Sequence, residues 1–209
     1  MLELKHISYS VQEADETLGI LKDISLTIDD HKLVVFTGPN CCGKTTLGRV
    51  ITRLEEATSG EVYLDGREIL QLKGREKNAI YHDMQMIFQD PYSSLNPRMS
   101  VGNIIADPIE TMGAKMSHKE LNQKVLHLME TVGLPARYYN QYPHELDGGR
   151  RQRVGLARAL ALDPEFIVCD EPVSALDVSI QAQILNLLMD LQDQKQLAYM
   201  FITHNLFVV

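Results

Sequence analysis

With 209 residues, 44% of them hydrophobic and 23% charged, the chain has the length and composition of one folded domain with a sizeable core, which excludes general disorder. Twenty basic residues against 28 acidic ones leave a net charge of −8. That balance argues against non-specific nucleic-acid binding, which depends on neutralising phosphates. The opening residues lack a basic region followed by an apolar run, so no signal peptide is expected, and no run of about 18 apolar residues predicts a membrane-spanning helix. Three cysteines, two of them adjacent at Cys41 and Cys42, suggest a reducing cytosol and no disulfide framework. The seven histidines show no metal-ligand spacing.

The first elements read as strands. LELKHIS alternates, and Ile24, Leu26 and Ile28 would share one face of a second strand. KLVVFT at 32–37 is a short apolar run ending in Gly38 and Pro39, which predicts a buried strand feeding a tight turn. A helix follows to about Leu54, then a strand in TSGEVYLDG and a buried strand at 84–89. From about 90 to 150 prolines stand at 91, 97, 108, 135 and 143 with helical stretches between them, notably 117–132, and no buried-strand run. The later segments predict a helix at about 149–162, a strand at 165–169, a helix at about 179–194 and a strand at 198–203. Strands alternating with helices predict an α/β fold with a mainly parallel sheet. The core would comprise about 1–89 and 151–209, and a helical subdomain would be inserted at about 90–150.

GPNCCGKTT at 38–46 fits G-x-x-x-x-G-K-[ST], with an apolar strand before it and a helix after it. Successive backbone amides must point inward around a phosphate, which requires residues tolerant of unusual dihedrals. The helix N-terminus adds its positive dipole end. Gly38, Pro39, Asn40, Cys41, Cys42, Gly43, Lys44, Thr45 and Thr46 are therefore expected to bind a nucleotide. Lys44 would reach the β and γ phosphates and Thr45 would place its hydroxyl on Mg²⁺. A second signal is FIVCDE at 166–171, an apolar strand ending in two acids where an open α/β sheet binds ligands. Asp170 would hold Mg²⁺ through water, and Glu171 would polarise an attacking water as general base.

Together with Gln89 after MQMIF, LDGGRRQRVGLARAL at 146–160, SALD at 174–177 and His204 in FITHN, these residues resemble the nucleotide-binding domains of ATP-binding cassette transporters over essentially the whole chain. The order phosphate loop, Q-loop, signature, Walker B strand, D-loop and switch histidine is far more specific than any one motif. QDPYSSLNPRMSVGNIIADPI at 89–109 and QYPHEL before the signature look like the oligopeptide, dipeptide and nickel importer ATPases. The resemblance implies a P-loop NTPase core with an N-terminal antiparallel β element, and a cytoplasmic-face, peripheral subunit with ATP and Mg²⁺ as cofactors. It implies transmembrane permease subunits as partners, and indirectly a substrate-binding protein. It also implies a second ATPase domain whose phosphate loop meets this chain's signature, so that Asp147, Gly148, Gly149 and Arg150 act in trans. Tyr9 would stack on adenine, Gln89 would touch Mg²⁺ or the water, His204 would contact the γ-phosphate, and Asp177 would bridge the dimer or cap its helix.

The chain departs from that pattern in three places. Its signature reads LDGGR where the family usually has LSGGQ, so Asp147 brings a carboxylate towards a phosphate. Like charges about 4 Å apart cost roughly 4 kcal/mol at an effective dielectric of about 20, less whatever Arg150 offsets. This motivates an asymmetric heterodimer with one weakened site, with a homodimer as the alternative. Cys41 stands where glycine is common, and with Cys42 at a helix N-terminus near Lys44 it is expected to be a reactive thiol that ATP shields. The chain also stops at Val209, soon after His204, which suggests a truncation at the C-terminus. Arg151, Arg153 and Arg158 read as structural and interfacial. The competing readings are a weakly active or regulatory half of a heterodimer, and a soluble non-transport cassette ATPase.

Overall fold

The computed structural model describes residues 1–13, 16–113 and 115–204. The first unit is an antiparallel sheet in the order β2-β1-β4-β5, built from β1 (Leu2–Glu13), β2 (Glu16–Ile28), β4 (Ser59–Leu64) and β5 (Arg67–Glu68). Leu2 pairs with Ile28 and Leu4 with Leu26, which sets the inward faces of β1 and β2 together. On β2, Ile24 and Leu26 are half-buried and Ile28 is buried, while Ser25 and Thr27 are exposed, as their alternation predicts. The register shifts between Leu4 and Ser10, near the positive φ of His6 and, on β2, of Asp23. These irregularities break the simple two-residue period of β1.

The second sheet is parallel, in the order β3-β8-β7-β6 (Leu33–Thr37, Ala198–Thr203, Phe166–Asp170, Met84–Ile87). Its two central strands are buried at every residue. Their side chains alternate between two cores. Phe166, Val168, Met200 and Ile202 join the antiparallel sheet and α1 (Lys44–Ile51) in one cluster. Ile167, Cys169, Tyr199 and Phe201 join the helices in the other. A strand covered on both faces needs apolar residues at both parities, hence the unbroken runs FIVC and AYMFI. KLVVFT, expected to be fully buried, is only half-buried, because β3 is the edge strand of the sheet.

Between β6 and β7 the described chain is helical: α3 (Pro91–Ser94), α4 (Val101–Thr111), α5 (His118–Thr131), two short 3-10 turns and α6 (Gly148–Leu160). Ser117 opens α5 with a capping box to Glu120. Arg151, Arg153 and Arg158 on α6 each donate to a backbone carbonyl, of Pro143, Val132 and Ser94. They tie α6 to its neighbours, consistent with the structural half of their expected role. α2 (Arg75–Asp83) was not anticipated: only Ile80 of its residues is buried, so the helix carries almost no apolar stripe. α7 (Val178–Lys195) packs against the helical side through Ile184, Leu188 and Leu191. No described helix is long and apolar enough to cross a membrane.

Candidate active site

β3 ends at Thr37 and the loop 38–43 curls into α1. Gly43 has φ +88°, and a Cβ there would lie 2.9 Å from a Leu21 methyl and 3.2 Å from the Ile20 carbonyl oxygen. Both the dihedral and the approach of β2 require glycine at that turn. Cys41 has φ +61°, so the position taken by a β-carbon-bearing residue is left-handed. This strain costs roughly 1–2 kcal/mol. α1 has no acidic residue in its first turn and no side-chain cap, which leaves its first amides for an anion. Lys44 Nζ donates to the carbonyls of Gly38 at 2.8 Å and Pro39 at 2.7 Å, which holds the ammonium against the loop.

The parallel sheet brings the acidic strand end to the same place. Asp170, the last residue of β7, is 3% exposed and accepts a 2.9 Å hydrogen bond from Thr45 Oγ1. Burial raises the Asp170 carboxyl above the usual carboxylate range; the Thr45 bond opposes this and the Glu171 charge adds to it. Glu171 turns out of the strand at φ +44°, while its N–H donates to the Ile202 carbonyl at 2.9 Å. Left-handed backbone at a non-glycine residue is uncommon and collects at functional sites. Here the turn swings the carboxylate off the sheet. Its Oε2 accepts from Gln89 Nε2 at 2.8 Å and lies 3.0 Å from His204 Nδ1. Gln89 follows β6 and His204 follows β8, so three adjacent strands each deliver one polar group to one point.

Gln89, Glu171 and His204 line one cleft of about 500 Å³ together with Asn40, Cys41, Cys42, Gly43, Lys44, Thr45 and Thr46, and Asp170 lies buried behind it on Thr45. That volume lies within the range of small-molecule sites. Gly38 and Pro39 reach the cleft through their bonds to Lys44. Tyr9 does not line it. The Tyr9 hydroxyl donates to Glu55 at 3.2 Å and its ring packs against the cluster under the antiparallel sheet. The apolar wall comes instead from Leu18 and Ile20 of β2, which sequence reasoning did not single out. The available signal was the pair itself, two apolar residues at i and i+2 on one strand face.

The signature residues stand elsewhere, at the N-terminus of α6. Asp147 is the N-cap, and its Oδ1 accepts from the Arg150 N–H at 2.8 Å. Its Oδ2 pairs with Arg150 Nη1 at 2.7 Å, and the guanidinium lies 4.9 Å over the Tyr138 ring. The charge pair expected only as a partial offset is thus formed within one turn of helix. Gly148 and Gly149 face their own chain: a Cβ on them would lie 2.9 Å from Leu176 Cδ2 and 2.7 Å from Ile180 Cγ2. Asp177 is the N-cap residue of α7 but makes no side-chain cap, and it is exposed.

The family model described as ABC transporter matches residues 21–174. The chain belongs to the ABC transporter family. It is 49% identical over its whole length to the oligopeptide transport ATP-binding protein OppF of Bacillus subtilis (strain 168), covering 69% of that protein. It is 48% identical over 90% of its length to the dipeptide transport ATP-binding protein DppF of Haemophilus influenzae, covering 58% of it. The chain thus spans between 58% and 69% of the length of these two relatives. Its fold matches the dimeric, post-hydrolysis ATP-binding cassette MJ0796 bound to ADP and Pi with a TM-score of 0.91 at 29% identity, covering all of this chain and 90% of that one. The expected α/β fold, a parallel sheet joined to an antiparallel one with helices around them, is that of the ABC ATP-binding domain.

Proposed function

We propose that this chain is the ATP-binding and ATP-hydrolysing subunit of a peptide importer. The observation that carries the reading is the single cleft in which the phosphate loop, Thr45 on Asp170, and Gln89 and His204 on Glu171 converge. The names of the relatives favour oligopeptides or dipeptides over nickel as cargo. Permease subunits, a substrate-binding protein acting through them and a peripheral place on the cytoplasmic face follow from the same likeness.

The residues act as follows. Lys44 and the loop amides hold the β and γ phosphates of ATP and stabilise charge on them as it builds. Glu171 takes the proton of the attacking water, and Gln89 and His204 fix its carboxylate in place. His204 is then positioned at the γ-phosphate. Mg²⁺ fits the donors present: Thr45 and Asp170 offer two oxygens 2.9 Å apart, and Gln89 adds a carbonyl oxygen, an all-oxygen set suited to a hard cation. When bound it would neutralise phosphate charge.

A second domain completes the site, since the signature lies apart from this chain's own cleft. The Asp147–Arg150 pair favours a heterodimer in which the ATP held by the partner receives the altered signature. The test is co-expression with candidate permease and partner subunits in vesicles. ATP-dependent peptide uptake that is lost in Lys44→Ala supports the reading. Uptake unaffected by Lys44→Ala overturns it.

A further inference from the structure

The three arginines of α6 do not share a face. Arg151 and Arg158 stand seven residues apart, two turns of helix, and so project to the same side; Arg153, two positions after Arg151, points elsewhere. Arg153 accordingly donates to the Val132 carbonyl and to Gln183. Arg151 and Arg158 both reach α3, the single helical turn that starts two residues after Gln89. The Arg151 guanidinium lies 4.9 Å over the Tyr92 ring, and Arg158 Nη1 donates to the Ser94 carbonyl at 2.6 Å. A four-residue helix is too short to be stable alone, and Tyr92 and Ser93 are exposed. Its place therefore rests on what grips it from outside: the two ties to α6 and the buried Leu95 just after it. Arg158 gives up hydration to make its tie. This desolvation lowers its pKa from the usual arginine value, and the Asp107 charge opposes the shift.

We propose that Arg158, with Arg151 as a second tie, is a positioning residue for ATP hydrolysis: it fixes α3 to the helix that begins at Asp147, and α3 in turn holds Gln89 against Glu171. The inference rests on the hydrolytic reading of the cleft. Gln89 Nε2 lies 2.8 Å from Glu171 Oε2, a bond that a shift of about 1 Å breaks. Gln89 and Ser94 are five residues apart with one helical turn between them, so a displacement at Ser94 carries to Gln89. Arg158 stands about 16 Å along α6 from Asp147. One helix thus carries the LDGGR residues at its start and the hold on α3 further along. Arg158 does not line the cleft. Its removal should leave the phosphate loop intact and misplace the group that orients Glu171.

The experiment compares the whole chain with Arg158→Met, Arg158→Lys, Arg151→Met and Arg153→Met, each with and without Gln89→Ala. Steady-state Mg-ATP hydrolysis gives kcat and KM, nucleotide titration gives Kd, and hydrogen exchange is followed in the 89–95 peptide. Arg158→Met is expected to lower kcat about ten- to a hundredfold, with KM and Kd changed less than about twofold. In the Gln89→Ala background it should cost less than about twofold more, since both act through one group. Arg158→Lys should recover part of the rate, and Arg151→Met should lose less than Arg158→Met. Exchange in 89–95 should quicken about tenfold in Arg158→Met and stay unchanged in Arg153→Met, which gives up its tie elsewhere. An unchanged kcat in folded Arg158→Met, a loss that multiplies with that of Gln89→Ala, or an equal loss in Arg153→Met overturns the proposal. If Arg158→Met does not fold, Arg151→Met carries the same cycle, and a loss there that multiplies with Gln89→Ala overturns it. A wild-type chain that hydrolyses ATP no faster than Glu171→Gln overturns the hydrolytic reading instead. Exchange in 89–95 left unchanged by Arg158→Met overturns the tie whatever the activity.

Discussion

The N-termini of α1 and α6 both follow or begin with glycine, yet they treat charge in opposite ways. α1 has Gly43 at its cap, no side-chain cap bond and Lys44 as its first residue, so its amides stay open to an anion. α6 has Asp147 at its cap, accepting from the Arg150 amide and paired with the Arg150 guanidinium. Its anion position is filled by a carboxylate from the same chain. One helix end is left open to an anion and the other is already satisfied. On the proposed reading, in which two domains share the ATP sites, the first would serve this chain's own nucleotide and the second the partner's.

The largest effect is expected on the α1 side. Glu171→Gln keeps the bonds to Gln89 and His204 sterically possible but removes the base. Hydrolysis should fall by about 10²–10⁴, with ATP binding retained, in paired measurements of phosphate release and nucleotide titration. On the α6 side, Gly149→Ala places a methyl 2.7 Å from Ile180 Cγ2. The better helix propensity of alanine recovers part of the overpacking cost, leaving about 1–2 kcal/mol of lost stability in urea denaturation. Arg150→Gln alone strips Asp147 of its partner. The exposed pair is worth about 0.3–1 kcal/mol, so hydrolysis in the assembled dimer should drop a few-fold, more at low salt than at high. Smallest is Cys41→Gly, which relieves the φ of +61° but loosens the unfolded chain. The net gain should be at most about 1 kcal/mol, read as a small rise in melting temperature.

What the sequence made legible followed from local rules. The phosphate loop was readable because one ligand group fixes the spacing of Gly38, Gly43, Lys44 and Thr45 over a single turn. FIVCDE was readable because two acids end a run buried on both faces. The packing of the Tyr9 ring was not, because the register shifts of β1 break the parity that a strand pattern assumes. α2 was missed because Ile80 is its only buried residue. The Asp147–Arg150 bond was half legible: the two charges at i and i+3 are visible, but that they meet each other is a matter of cap geometry. Residues 205–209, on which the expected C-terminal truncation bears, lie outside the described residues.

On the proposed reading the α6 end slows hydrolysis through charge and not through shape. Serine caps a helix about as well as aspartate does, so Asp147→Ser with Arg150→Gln removes the charge while keeping the cap. The measurement is steady-state Mg-ATP hydrolysis and ATP affinity of the assembled dimer with and without this double substitution. Unchanged affinity at this chain's own site is expected, with hydrolysis raised about tenfold, a difference of about 1.4 kcal/mol in the barrier. Equal rates in the two proteins would contradict it.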